Sequence, residues 1–97
     1  MLINDQQSFK VTCLFKDDTN QPVKPESLTY ILQKDDGTVV RTVTVTPTGT
    51  SYVIPITVED NTLGVDDIVE RKLIVDWVYN NGTKGDRIKV DYSINPV

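Results

Sequence analysis

Glu70-Arg71-Lys72-Leu73-Ile74-Val75-Asp76-Trp77-Val78-Tyr79 runs through Asn80-Asn81-Gly82-Thr83-Lys84-Gly85-Asp86 into Arg87-Ile88-Lys89-Val90-Asp91-Tyr92-Ser93-Ile94. Leu73, Val75, Trp77 and Tyr79 occupy alternate positions of the first run. Ile88, Val90, Tyr92 and Ile94 do the same in the last. Successive side chains of a strand point to opposite faces, so this spacing predicts strands over 71–79 and 87–94, each with one apolar face. The polar segment 80–86, with Gly82 and Gly85, reads as the turn between them. The only tryptophan, Trp77, sits in the middle of its face, which makes this hairpin the expected nucleus of the core.

Working back towards the N-terminus, residues 8–16 alternate in the same way. Phe9, Val11, Cys13 and Phe15 point one way and Lys10, Thr12 and Lys16 the other, with Leu14 on the polar face. Asp17, Asp18, Asn20, Pro22 and Pro25 crowd the next segment, 17–27, with residues that favour turns. A second strand follows over 28–34 with Leu28, Tyr30 and Leu32 on one face. Asp36-Gly37 then stands between two alternating runs, a strong hairpin signal. The Val- and Thr-rich run 39–46 is a third strand, since β-branched side chains suit a pleated surface.

Pro47-Thr48-Gly49-Thr50 turns the chain into a fourth strand, 51–58, with Tyr52, Ile54, Ile56 and Val58 inward. Pro55 lies on its opposite face. A proline has no ladder N–H to donate, so this strand is expected at a sheet edge. Residues 59–69 lose the alternation. They are expected to cross between sheets, with one helical turn capped by Thr57 or Asp60 and with Leu63, Val65 and Ile68 tacked to the core. Short strands at this spacing, with no helical period, predict an all-β chain built as an antiparallel β-sandwich of six to seven strands. A small barrel is the alternative.

The 97 residues make a single domain, 1–97, large enough to bury roughly two-thirds of its unfolded surface without staples. The formal charge of −4 favours solubility, and Lys and Arg are scattered, with Arg71-Lys72 the only adjacent pair and read as a solvated edge. No nucleic-acid partner is expected, because no basic cluster stands ready to displace counterions. No apolar run is long enough for a membrane-spanning helix, and the N-terminal residues do not read as a signal peptide. A lone cysteine rules out an internal disulfide and reads as a small buried hydrophobe.

The absence of histidine removes the commonest general base and metal ligand, and leaves Ser8, Ser27, Ser51 and Ser93 without a triad partner. The acidic groups Asp17-Asp18, Asp35-Asp36, Glu59-Asp60-Asn61 and Asp66-Asp67 lack the spacing of a twelve-residue calcium loop and read as solvated turn residues. The glycines are isolated and form no phosphate cradle. No catalytic residue, metal site or cofactor is expected, and the chain is not expected to be an enzyme. Tyr30, Tyr52, Trp77, Tyr79 and Tyr92 could in principle form a sugar-stacking platform, but strand spacing on inward faces assigns them to the core.

Tyr52-Val53-Ile54-Pro55-Ile56-Thr57-Val58, then Glu59-Asp60-Asn61-Thr62-Leu63, then the hairpin from Glu70 closing at Asp91-Tyr92-Ser93-Ile94, form a distinct layout. With Asp17 to Pro25 leading into Leu28-Thr29-Tyr30-Ile31-Leu32 and the Asp35-Asp36-Gly37-Thr38 turn, it resembles the small immunoglobulin-like virion structural proteins of tailed bacteriophages. That resemblance implies an immunoglobulin-like sandwich and a virion component, made in the host bacterial cytoplasm. It would be attached to other phage structural proteins of a capsid, neck or tail in many symmetric copies. It carries over no catalytic residues, and the paired cysteines of antibody domains are missing.

The expected docking surfaces are three loops. They are represented by Asp17, Asp18 and Asn20; by Pro47 and Gly49; and by Asn80, Asn81, Gly82 and Lys84. The strand edge beside Pro55 is a fourth candidate. The competing expectation is a host-surface polysaccharide-binding module of a phage tail or capsid, with Tyr79 or Tyr92 exposed and stacking on sugar.

Overall fold

A computed structural model describes residues 1–96 and contains seven strands in two sheets. They are β1 (Leu2–Asn4), β2 (Phe9–Leu14), β3 (Ser27–Lys34), β4 (Val39–Val45), β5 (Ser51–Ile56), β6 (Glu70–Tyr79) and β7 (Lys84–Asn95). The larger sheet has the order β1-β7-β6-β3-β4, and β2 pairs with β5 in the smaller one. All pairs are antiparallel except β1 with β7, which is parallel.

The alternation read from the sequence decides which face each strand turns inward. Leu28, Tyr30 and Leu32 of β3 and Leu73, Val75, Trp77 and Tyr79 of β6 are buried; so are Tyr92 and Ile94 of β7, Cys13 of β2 and Ile54 and Ile56 of β5. The two sheets share this one cluster. Phe15, just beyond β2, meets Trp77 at 5.1 Å between ring centroids, and Phe9 meets Tyr92 edge-on at 5.0 Å. Such pairs add to the burial of the rings themselves. The outward face of the larger sheet is polar where β6 meets β7. There Asp76 and Arg87 stand opposite each other and form a two-pronged ion pair.

The long hairpin sets the shape. Twelve residues of β7 at about 3.4 Å each span about 40 Å, and the molecule measures 44 × 21 × 19 Å. Its radius of gyration of 14.6 Å exceeds the roughly 13 Å of a rounder domain this size. The turn is tighter than 80–86: β7 begins at Lys84, which pairs with Tyr79, so only residues 80–83 turn. Gly85 permits this. A Cβ there would lie 2.6 Å from the Trp77 carbonyl oxygen, an approach only glycine tolerates.

Several expectations are corrected. Val58 points outward, at 44% exposure, because the inward alternation of β5 stops at Ile56, and Val65, in the irregular crossover, is 96% exposed and does not tack it to the core. Residues 59–69 do cross between the sheets, and Glu59–Asn61 form a single 3-10 turn. Asp60 and Asn61 are buried in it and are not solvated turn residues. Thr57 and Asp60 brace the turn reciprocally, Asp60 Oδ2 accepting from Thr57 N at 2.8 Å and Thr57 Oγ1 from Asp60 N at 3.3 Å.

Arg71 is also buried and not part of a solvated edge; it faces inward on β6 and donates to the Ile68 carbonyl. Asp67 joins Lys34 at 2.7 Å and Arg71 at 3.7 Å, and so latches the crossover onto the larger sheet. Asn61 is a four-way hub. Its own N–H donates to the Val58 carbonyl and its carbonyl accepts from Gln6 N, while Nδ2 donates to the Gln7 carbonyl and Oδ1 accepts from the Tyr92 hydroxyl.

Candidate functional site

Register places the three predicted loops at one end of the molecule. Leu14 pairs with Ser51, Leu28 with Val45, Ser27 with Val78, and Tyr79 with Lys84. The segments that leave these positions, 15–26, 46–50 and 80–83, therefore emerge together.

The first loop is folded on Asp17. Its Oδ1 accepts from Thr19 N at 2.9 Å, Thr19 Oγ1 at 2.7 Å and Gln21 N at 3.0 Å. The Thr19 hydroxyl, then the Gln21 N–H, hold its carboxyl below the usual range. Asn20 takes a left-handed φ of 66°, which asparagine tolerates better than most residues. The chain then bridges back at Lys16 and Pro22.

Asp18 joins this loop to the hairpin. Its carboxylate pairs with Lys84 Nζ, which raises the lysine pKa. Its N–H donates to the Tyr79 hydroxyl at 3.1 Å. Glu26 accepts from the Asn81 N–H at the hairpin tip. In the tip itself Asn80, Asn81 and Gly82 have φ of 56°, 57° and 76°, and Thr83 N closes the turn on the Asn80 carbonyl at 3.2 Å. Lys16, Asp17, Asp18, Trp77, Tyr79, Gly85 and Asp86 line a groove of about 290 Å³ between loop and hairpin.

Of the predicted loop residues, Asp18, Asn20, Asn80, Asn81, Gly82 and Lys84 are exposed at this end. Asp17 and Gly49 are half-buried. Pro47 is buried, so its ring supports the 46–50 loop from beneath and does not present itself. The strand-edge candidate lies elsewhere. Pro55 pairs with Lys10, towards the far end of the smaller sheet. Its carbonyl accepts from Arg41 NH2 at 2.7 Å. A residue's N and C=O leave a strand on the same side, so the proline nitrogen also faces away from β2, where its missing N–H costs the β2 ladder nothing.

Arg41 closes that side of the molecule. Its guanidinium reaches from β4, pairs with Asp60 at 2.9 Å and lies 5.4 Å from the centre of the Tyr30 ring. An open groove of about 680 Å³, lined in part by Phe9, Lys10, Pro55, Val58 and Glu59, continues from Pro55.

The aromatic residues considered for sugar stacking are mostly interior. Tyr30, Trp77, Tyr79 and Tyr92 are buried, and Tyr52 is half-buried. Burial pushes the Tyr92 hydroxyl up to about 12 and raises the Cys13 thiol. Among the described residues no three His, Cys, Asp or Glu side chains group as metal ligands, and no helix is long and apolar enough to cross a membrane. No family model, curated protein or solved structure matches the chain.

Proposed function

We propose that this chain is an immunoglobulin-like module that serves as a non-enzymatic structural part of a tailed-phage virion. It docks through its loop end on a capsid, neck or tail assembly. The observation that carries the docking surface is the meeting of segments 15–26, 46–50 and 80–83 at one end of an elongated two-sheet frame. The virion assignment is supported by the layout of strands and turns, which resembles phage immunoglobulin-like structural proteins.

Loops braced by a rigid sheet are well suited to hold a partner without chemistry of their own. Here Asp18–Lys84, Asp18–Tyr79 and Glu26–Asn81 tie the first loop to the hairpin before any partner arrives. Less order is then lost on docking. Particles assembled without the chain provide the test. Purified protein added to them should co-sediment at a fixed, saturable ratio. Failure to co-sediment with these incomplete particles would overturn the proposal.

A further inference from the structure

The chain contains six asparagines, and five are protected from attack by the following main-chain nitrogen. Asp5 N, after Asn4, donates to the Asn95 carbonyl at 3.0 Å, and Thr62 N, after Asn61, donates to Glu59 at 3.4 Å. Gln21 N, after Asn20, donates to Asp17 Oδ1 at 3.0 Å. Asn81 N, after Asn80, is held by Glu26. Asn95 precedes Pro96, which has no N–H. Only Asn81 is followed by an unengaged amide. Among the described residues Gly82 N donates to no protein acceptor and the Asn81 side-chain amide has no protein partner. Both residues are exposed, and glycine has no Cβ to obstruct the approach.

The other hairpin supplies an internal contrast. Asp36-Gly37 is chemically similar, yet Gly37 N donates to the Lys34 carbonyl at 2.9 Å, and Asp36 Oδ1 accepts from Thr38 N at 2.9 Å. The same kind of dipeptide is locked in one turn and free in the other.

We propose that Asn81 is a site of spontaneous deamidation and isoaspartate formation at the hairpin tip. The Gly82 nitrogen attacks Asn81 Cγ. A C–N bond forms as the Gly82 N–H proton is lost, the Cγ–Nδ2 bond breaks, and ammonia leaves with that proton, giving a five-membered succinimide. Water then adds to one imide carbonyl. Opening at Cγ yields aspartate, and opening at the main-chain carbonyl yields isoaspartate, whose main chain is one methylene longer. Either product places a carboxylate beside Glu26, and the longer main chain no longer matches the Thr83-to-Asn80 closure.

The test is incubation of the full folded chain in mildly alkaline buffer, with tryptic peptide mass spectrometry and isoaspartyl methyltransferase labelling over time. The expected result is conversion at Asn81 about tenfold faster than at any other asparagine, slowed about tenfold in Gly82→Ala, whose added Cβ obstructs attack. Because Gly82 has a φ of 76°, Asn81→Gln is read alongside, with folding of each variant followed by circular dichroism; it should show no conversion at position 81. Conversion at Asn20 or Asn80 as fast as at Asn81, or an unmodified Asn81 after prolonged incubation, would overturn the proposal.

Discussion

At the residue scale, stability turns on polar groups that a composition-based reading places outside. Asn61 is fully buried and each of its hydrogen-bonding groups has a partner, and Tyr92 supplies one of them at 2.7 Å. A buried acceptor stripped of its partner costs about 1–3 kcal/mol, more than the net value of the bond. Tyr92→Phe keeps the ring that meets Phe9 but removes the hydroxyl, and should lower unfolding stability by about that amount in urea titrations. The same substitution should alter the alkaline limb. With its folded pKa raised to about 12 from 10.0, Tyr92 contributes stability that is complete below 10.0 and lost as pH rises towards 12. The variant should lose less stability across that window.

The burial of Tyr92 is legible from its alternation, but the burial of Asp60 and Asn61 is not legible in the local sequence. Glu59-Asp60-Asn61 has the look of a solvated acidic turn, and only the Arg41, Gln7 and Tyr92 side of each contact, far along the chain, explains its burial. Arg71 was legible by position, since it shares the inward parity of Leu73 and Val75. Its charge argues the other way, and the Asp67 carboxylate and Ile68 carbonyl that receive it lie in the irregular crossover.

At the element scale, alternation carried the strands, and it failed where elements were short or ended. Three residues of β1 are too few to show a period, and their parallel pairing with Ser93 to Asn95 depends on contacts ninety residues away. Lys84, Gly85 and Asp86 carry no apolar side chain and so make the hairpin turn look wider than it is, although main-chain pairing needs none. Gly85→Ala tests this directly. Its Cβ would press on the Trp77 carbonyl, a main-chain atom that cannot rotate away. The expected loss is about 1–3 kcal/mol, seen as a lower midpoint in chemical unfolding.

The crossover offers a second test. The Lys34 ammonium, then the N–H groups of Gly64 and Ile68, hold the Asp67 carboxyl down to about 2 from 3.8. A depressed carboxyl contributes stability that is present above 3.8 and lost as pH falls through about 2. Wild-type stability should fall across that window, and Asp67→Asn should flatten the fall while lowering the plateau above it.

At the scale of the whole molecule, the sequence already implied an all-β chain, and the seven strands lie within the expected number. The grouping of five strands against two, and the gathering of three loops at one end, required the register. The chosen loop residues divide accordingly: the hairpin tip and the Asp18 loop meet, Pro47 is interior, and Pro55 belongs to the other end. Exposed ion pairs, screened by solvent, contribute little to folding. Lys84→Glu should therefore leave the melting temperature nearly unchanged while placing two carboxylates side by side at the loop end. If that end docks on the particle, co-sedimentation should weaken several-fold with no loss of folding.

If a tailed phage encodes the chain, as proposed, the most direct measurement is quantitative mass spectrometry of that phage's purified particles, paired with an electron-microscopic map of the same preparation. The proposal predicts the chain in a fixed ratio to a shell, neck or tail protein, with density that fits a module 44 Å long held by its loop end. Its absence from intact, infectious particles would contradict the assignment.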